Sequence, residues 1–363
     1  MCSSDLHVKD LGVDDTLAGA RRVEGQRERV QSGVDAASRV ARVPLGWGCR
    51  ARLVASLVKG QTQWGLDITG MAPQRAGRLR HAMVQAVTGG QAARRAPEVV
   101  LAMAAPNAFI EPAPHQTWTV IMNWSKRLTL DPGLAQWIGP AWESAKAFFR
   151  PKTRLKGPVD LLVRTVQDLG WEPRTPASWV TPEGPIEAAS GERLGHVLAE
   201  TIRQRRWESL AERRREFKGA EDGVDEAATF RGPLAALARK ATAAFARAVC
   251  IISGGTWTRS RCARAGYVGE SDCPYCPGVT ETPIHRWWQC PRWDLQRGLD
   301  GAAAAERGRR ASWEPACLWE CGILPRPVPA DCPPPPPRPG ERGDTDHVLP
   351  GRVGPRLHRR VGC

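Results

Sequence analysis

The chain has 363 residues, which is enough for about two domains or one large one. Hydrophobic residues make up 42% of it, which excludes a fully disordered chain. Lys and Arg number 52 against 38 Asp and Glu, and the net charge of +14 favours an anionic partner, either nucleic acid or a membrane surface. The 15 tryptophans suit stacking on bases, although tryptophan is also a good core residue.

No apolar run approaches the ~18 residues of a transmembrane helix. The residues that follow Met1 lack the basic and apolar regions of a signal peptide. We therefore expect an intracellular protein of the nucleus or cytoplasm that is not secreted and has no membrane partner. In a reducing compartment the 11 cysteines are predicted to be free thiols or metal ligands rather than disulfides.

Hydrophobic periodicity predicts a mainly α-helical fold, and the first helical region covers residues 1–105. It begins with a short strand around Val8, and a long helix follows that ends at a Gly-Trp-Gly turn over residues 46–48. A second helix is predicted over residues 50–59, with a buried face that includes Leu57. Two more helices follow, separated by Gly89-Gly90.

Residues 106–220 are predicted to be helical and rich in tryptophan. At least four of the six tryptophans within residues 106–192 are expected in the core or between helices: Trp118, Trp124, Trp137, Trp142, Trp171 and Trp179. A long basic helix is then predicted over residues 193–217. Its arginines suit either a solvated face or a ridge that contacts phosphates: Arg203, Arg205, Arg206, Arg213, Arg214 and Arg215.

Residues 221–300 are predicted to contain another helix and then a metal site. Cys273, Cys276, His285 and Cys290 have the spacing C-x2-C-x8-H-x4-C. Three thiolates and one imidazole complete a tetrahedral zinc shell, and no position is left for a water molecule. The sequence therefore predicts one structural zinc ion, with Pro277-Gly278 reversing the chain after the first pair of cysteines.

The segment Cys-Pro-Tyr-Cys is also a redox motif of glutaredoxin-like proteins, but such a site needs an apolar strand before it and a helix after it. Neither context is present around Cys273 and Cys276. Trp287 and Trp288 lie between the last two predicted ligands. At most one of them is expected to pack against the metal loop, which leaves the other for solvent or for a base, unless both cap the small core.

Residues 301–363 are predicted to be mostly a disordered tail, with polyproline II structure from about residue 323 onwards. Cys317, near Trp319, is expected to be a small packed thiol rather than a second metal ligand. The remaining candidate motif is Asp14-Asp15, which is like the paired aspartates of two-metal polymerases. Its flanks do not predict the required hairpin, so we expect an exposed turn or a helix N-cap there and no catalytic residue in this chain.

Three blocks of the sequence resemble one known family. The segment Val8–Val13 is similar to a strand that follows the polymerase aspartates, and residues 39–45 and 50–54 with Trp64-Gly65 are similar to thumb helices. The block Cys273–Cys290 is similar to a zinc-binding region. Together they resemble the C-terminal part of a LINE-type (non-LTR) retrotransposon reverse transcriptase, of the divergent kind abundant in dinoflagellate genomes.

The resemblance implies a thumb-like region in residues 1–105, a connector in 106–220 and a helix with a zinc module in 221–300, before the tail of 301–363. It also implies that the family's catalytic motif lies upstream of Met1, so that this chain is a fragment and not an enzyme by itself. Thumb helices in this family hold the primer–template, and the zinc module contacts RNA or target DNA.

The predicted function is therefore binding of RNA, DNA or both, through the arginines of the basic helix and through Trp287 and Trp288. The alternative is a zinc-stabilised module for protein interaction with no nucleic-acid role. A helix that binds a protein partner would expose a broad apolar stripe, which residues 193–217 do not predict.

Overall fold

In the computed structural model of the protein, helices dominate the architecture, which confirms the predicted fold class. None of the described helices combines the length and apolarity that crossing a membrane requires. The predicted polyproline and disordered segment from residue 328 onwards lies outside the described residues. The structure describes residues 7–10, 13–16, 24–90, 95–106, 108–147, 157–231, 234, 237 and 242–327.

A short hairpin comes first in the chain. Strands β1 (His7–Asp10) and β2 (Val13–Thr16) are antiparallel, and Lys9 is opposite Asp14. The expectation that Asp14-Asp15 lie in a turn or a helix cap is wrong, because both lie inside β2, after the connection between the two strands. Two residues separate the strands, which is a common length for a hairpin connection, and β-branched residues in β2 favour the extended backbone.

The first helical region packs around one apolar cluster that includes Val30, Val54, Leu79 and Met83. Its helices are α1 (Glu24–Arg42), α2 (Trp47–Leu53), α3 (Lys59–Thr62), α4 (Leu66–Thr69), α5 (Pro73–Thr88) and α6 (Pro97–Ala104). A π-helical turn, Val54–Val58, joins α2 to α3 without a break.

The predicted bounds of the second helix and the predicted burial of Leu57 are wrong. It begins at Trp47, so residues 46–48 do not form a separate turn, and it continues beyond Gly60. Leu57 is exposed, because the π-helical turn rotates the face that follows Val54. The break at Gly89-Gly90 is confirmed, since Gly89 ends α5 with a left-handed backbone.

A second cluster forms the core of the middle region. Its elements are α7 (Pro112–Leu130), α8 (Leu134–Trp137), α9 (Gly139–Ala147), α10 (Pro158–Asp168), β3 (Ser178–Thr181), β4 (Gly184–Glu187) and α11 (Glu192–Arg213). The expectation for the tryptophans is confirmed, because five of the six pack in or against this cluster and only Trp137 is exposed. The β3–β4 hairpin, which pairs Trp179 with Ile186, was not predicted.

The C-terminal elements are α12 (Thr242–Ile252), α13 (Arg259–Arg264), β5 (Asp272–Cys273), β6 (Cys276–Thr280), α14 (Asp294–Arg310) and α15 (Ala316–Cys321). The prediction of a tail from residue 301 is therefore wrong up to residue 327. Cys317 and Cys321 are buried on α15, as expected of packed thiols, and Ile323 is buried after it.

A third cluster unites three distant parts of the chain. Trp207 and Phe217 contribute to it together with Val99 of α6 and with Cys317 of α15. The cluster crosses all three predicted region boundaries, and residues 1–326 form one compact unit. The predicted thumb, connector and zinc regions consequently share one folded body.

Candidate metal centre

A hairpin positions the first two candidate ligands. Cys273 ends β5 and pairs directly with Cys276, which begins β6, so the turn consists of Pro274-Tyr275. The chain reverses earlier than at the predicted Pro277-Gly278, because these two residues already belong to β6. The amide N–H of Gly278 donates a hydrogen bond of 3.2 Å to Asp272 Oδ2 and so fixes the hairpin.

A π-helical turn over His285–Gln289 positions the other two ligands. Thr282 Oγ1 accepts from the His285 N–H at 3.1 Å, and the Cys290 N–H donates to the His285 carbonyl at 2.7 Å. A bond between residues five apart closes a wider turn than an α-helix does, and it brings the two residues to the same side. A single wide turn thus brings His285 and Cys290 together.

The four ligand atoms lie within 4.8 Å of one another. Cys290 Sγ is 3.9 Å from Cys273 Sγ and 3.7 Å from Cys276 Sγ. A tetrahedral zinc ion with Zn–S bonds of about 2.3 Å separates its sulfur ligands by about 3.8 Å. His285 Nε2 is buried without a hydrogen-bond partner, as expected of a nitrogen that faces a cation.

These four residues therefore form a group that could hold one metal ion. Within the part of the chain that the structure describes, no other group of three or more His, Cys, Asp or Glu side chains has this property. The donor set and the sulfur spacing both fit a closed tetrahedral shell.

Two charged residues support the centre from outside. The buried Glu281 carboxylate accepts from the Arg259 N–H at 2.6 Å and pairs with Arg286 at 3.5 Å. Arg297 donates to the carbonyl oxygens of Cys290 at 2.7 Å and Trp287 at 3.0 Å. Sequence reasoning missed the role of Arg297, because a guanidinium that bonds carbonyl groups leaves no motif.

The local structure also bears on redox chemistry. Cys276 begins a strand, so no helix N-terminus lowers the pKa of its thiol. Burial and hydrogen bonds with the thiols of Cys290 and Cys273 instead raise the pKa of Cys276 to about 11. The helix that a glutaredoxin-like motif requires after its cysteines is therefore replaced by a strand.

The two tryptophans between the ligands have different surroundings. Trp288 Nε1 donates to the Trp319 carbonyl at 2.8 Å, and the two rings meet edge to face at 5.5 Å. This contact ties the candidate centre to α15. Trp287 is partly exposed, and the Arg286 guanidinium lies 5.8 Å from the centre of its ring.

We expect single alanine variants to separate these roles. Trp288→Ala should lower the free energy of unfolding by roughly 3 kcal/mol, since it removes a ring that packs between two elements. Trp287→Ala should leave stability nearly unchanged and cost about 1–3 kcal/mol of affinity for single strands. Urea denaturation and fluorescence titration measure the two quantities, and a reversed pattern would contradict the assignment.

The six arginines proposed as a ridge do not share one exposed surface. Arg206 has a side chain only 7% exposed and lies 4.0 Å from both Glu111 and Glu226. Arg213 pairs with the buried Glu98 at 2.8 Å. These arginines neutralise carboxylates inside the protein, and Arg206 is too buried to contact phosphates on a surface.

The other four arginines are also divided. Arg203 pairs with Glu200 at 3.5 Å, and Arg214 pairs with Glu216 at 2.7 Å. Arg205 and Arg215 are exposed. Arg214 and Arg215 follow the end of α11, so their direction differs from that of the helix face.

Comparison with known proteins identifies no relative. No protein-family model, no curated protein and no solved structure matches this chain. The resemblance to reverse transcriptases therefore depends on the three sequence blocks alone, and the functional argument depends on the chemistry of the sites.

Proposed function

We propose that this chain is a nucleic-acid-binding part of a non-LTR retrotransposon reverse transcriptase, with one structural zinc at Cys273, Cys276, His285 and Cys290. The observation that carries the proposal is the tetrahedral spacing of the sulfur atoms around a buried, unpartnered histidine nitrogen. Thiolate and imidazole ligands in a closed shell favour zinc in a structural role.

The net charge of +14 and the half-exposed Trp287 beside Arg286 support an RNA or DNA partner. Arginine and tryptophan together bind single strands by pairing with phosphates and stacking on bases. The sequence resemblance supports the same partner, since the thumb and zinc regions of that family hold nucleic acid.

Direct titration of the purified full chain with single-stranded RNA and DNA tests this proposal. We expect binding at about 0.1 M salt, with an affinity that falls steeply as salt rises because counterions leave the phosphates. Zinc content measured on the same sample should be one ion per chain. A chain that holds zinc but binds neither nucleic acid would contradict the proposed function.

We further propose that the chain alone does not polymerise DNA. Asp14-Asp15 lie inside β2, so the β1–β2 hairpin does not place them between two strands as a two-metal motif requires. The remaining argument is the resemblance, which assigns the polymerase aspartates to another segment. A primer-extension assay with Mg²⁺ should show no product, and extension that Asp14→Ala abolishes would show that the chain is a polymerase.

One observation favours the alternative of a protein-interaction module. Leu295 and Leu299 are 94% and 90% exposed near the start of α14, close in sequence to the candidate centre. Gly298 has a non-helical backbone between them, so they do not share one helical face, but exposed leucines can still contact a protein partner. Unchanged nucleic-acid binding in a Leu295→Ser, Leu299→Ser double variant would separate this surface from the proposed function.

A further inference from the structure

A cleft of about 490 Å³ lies beside the candidate zinc centre. One wall is Thr282, Pro283 and Ile284, the residues directly before the ligand His285. The other walls come from four separate parts of the chain. They are lined by Arg95, Arg214, Arg215, Glu216, Gly254, Ser260, Arg261, Arg264 and Glu320.

The floor of this cleft is a fixed pair of arginines. Arg214 and Arg261 both contact Glu216 Oε1, at 2.7 Å and 3.0 Å. Both also donate to the Gly254 carbonyl, each at 3.0 Å. Burial opposes ionisation of Glu216, but the two guanidinium groups outweigh it and hold the pKa of that carboxyl below its usual value. The floor is therefore charged and rigid.

Three further arginines line the cleft without a direct partner, although the charge of Arg215 acts on Glu320 across it. Among the described residues, the side chains of Arg95, Arg215 and Arg264 make no hydrogen bond or ion pair. Arg95 is partly buried, and this burial lowers the pKa of its guanidinium. A partly desolvated cation without a counter-ion is unfavourable unless a ligand supplies the negative charge.

The backbone at the end of α12 is shaped around these side chains. A Cβ atom at Gly255 would lie 2.8 Å from Arg95 Cγ. At Gly254, which has a left-handed backbone (φ +66°), a Cβ would lie 2.8 Å from Arg214 Nη2. The glycine pair thus allows two arginines to approach the main chain closely. The Ala96 N–H donates to the Ser253 carbonyl at 2.7 Å and holds Arg95 in place.

The chemistry of the lining distinguishes between parts of a nucleic acid. Five guanidinium groups face two carboxylates, and no aromatic ring lines the cleft. Guanidinium groups bind phosphate oxygens, whereas bases require stacking surfaces. The volume is that of a small-ligand pocket, which is too narrow for a duplex.

We propose that this cleft binds the sugar–phosphate backbone of a single nucleic-acid strand, without sequence preference, through Arg95, Arg215 and Arg264. This inference depends on the proposed function and names the surface that would perform it. The surface replaces the ridge along α11, with which it shares only Arg214 and Arg215. Its wall ends at a zinc ligand, so the metal would also order the cleft.

The triple variant Arg95→Gln, Arg215→Gln, Arg264→Gln tests the proposal in the full chain. Each phosphate contact contributes roughly 0.7 to the slope of log K against log salt for single strands, so the slope should decrease by about two. Affinity for oligodeoxythymidylate at about 0.1 M salt should fall roughly tenfold or more. Zinc content should be unchanged and unfolding nearly so, because none of the three side chains makes a hydrogen bond or ion pair with a described residue.

The matched control removes three arginines that do not line the cleft. Arg307→Gln, Arg309→Gln and Arg310→Gln change the net charge equally on exposed positions of α14. At about 0.15 M ionic strength the screening length is about 8 Å, so charges outside the contact surface have little effect. The control should therefore retain the wild-type slope. An equal loss in both variants would overturn the cleft assignment.

Two further ligands test whether the cleft contacts the backbone of a strand or its bases. An abasic strand should lose the same factor of affinity in the triple variant as the normal strand does, because the cleft contacts no base. A mononucleotide in moderate excess should not displace the strand, since it offers one phosphate group only. Full displacement by the mononucleotide, or a loss that depends on bases, would overturn the backbone assignment.

The titrations distinguish failure of the cleft assignment from failure of the proposed function. If the wild-type chain binds strands and the triple variant binds them equally, the cleft assignment is wrong and the proposed function stands. If the wild-type chain binds no strand, both are wrong.

Discussion

Cys276→Ser is expected to abolish stoichiometric zinc binding and to unfold the segment around residues 265–297. A serine hydroxyl is a poor zinc ligand, and the remaining three ligands would leave an open, weakened shell. Zinc binding contributes about 10–16 kcal/mol to the folding of small zinc modules, so this change should have the largest effect of any single substitution here. Metal analysis measures the zinc content, and hydrogen exchange measures the loss of protection in that segment.

Cys262→Ser is the matched control, because Cys262 is a partly buried thiol on α13 that does not belong to the candidate centre. It should retain one zinc per chain and normal protection. Chelation of the metal from the wild-type chain should reproduce the effect of Cys276→Ser. Normal protection after complete chelation would show that the metal is not structural.

Arg80→Met is expected to lower the free energy of unfolding by about 1–3 kcal/mol, because it removes the counter-ion that two buried carboxylates share and leaves each with one other arginine, Arg213 or Arg206. Arg80 Nη1 lies 2.9 Å from Glu98 Oε1 and 3.1 Å from Glu111 Oε1. Both glutamate side chains are only 5% exposed. Methionine retains the apolar stem of the arginine, so the measured loss reports the charge.

The effect should depend on pH in a specific direction. Burial raises the pKa of Glu111 above its usual value. For Glu98, burial also opposes ionisation, but hydrogen bonds from Arg213 and the backbone and the charge of Arg80 outweigh it and lower its pKa. Without Arg80 the pKa of both carboxyls should rise. A carboxyl with a raised pKa in the folded state favours folding at low pH and loses that contribution as pH rises.

The cost of Arg80→Met should therefore be greatest near neutral pH and should decrease towards the range in which carboxyls protonate. Arg78→Met on the same helix is the control, since Arg78 is exposed and, among the residues that the structure describes, bonds only Gln31. It should cost less than about 1 kcal/mol at any pH. Urea denaturation at several pH values measures both variants, and a pH-independent loss for Arg80→Met would contradict the explanation.

The candidate centre could be predicted from sequence because it is local. All four ligands lie within 18 residues, and the chemistry of zinc fixes both residue types and approximate spacing. The helices of the first region were predictable for a similar reason, since Leu79, Met83 and Val87 recur at helical spacing and are all buried.

The arginines could not be assigned from sequence because their partners are distant. Arg213 pairs with Glu98, 115 residues away, and no local pattern shows that pairing. The cleft likewise collects Arg95, Arg215 and Arg264 from three segments. A run of charge along one helix indicates the composition of a face but not which charges the fold neutralises.

The folded end of the chain was missed for another reason. The helix α14 is rich in Ala, Gly and Arg and lacks an apolar period, so residues 301–310 resemble a linker. The next helix, α15, is only six residues long and depends on burial of Cys317 and Cys321 against the third cluster. Tertiary contacts rather than local propensity determine α15, whereas residues 302–305, all alanine, and the pairs of Glu306 with Arg309 and Arg310 favour α14 locally.

X-ray absorption at the zinc edge, on the reduced full chain, measures which atoms surround the metal and so shows whether the Cys3His zinc centre is closed. We expect one zinc per chain, with three sulfur neighbours at about 2.3 Å and one nitrogen neighbour at about 2.0–2.1 Å. A shell that contains oxygen, fewer than three sulfur atoms, or a zinc content near zero in chelator-free preparations would contradict it.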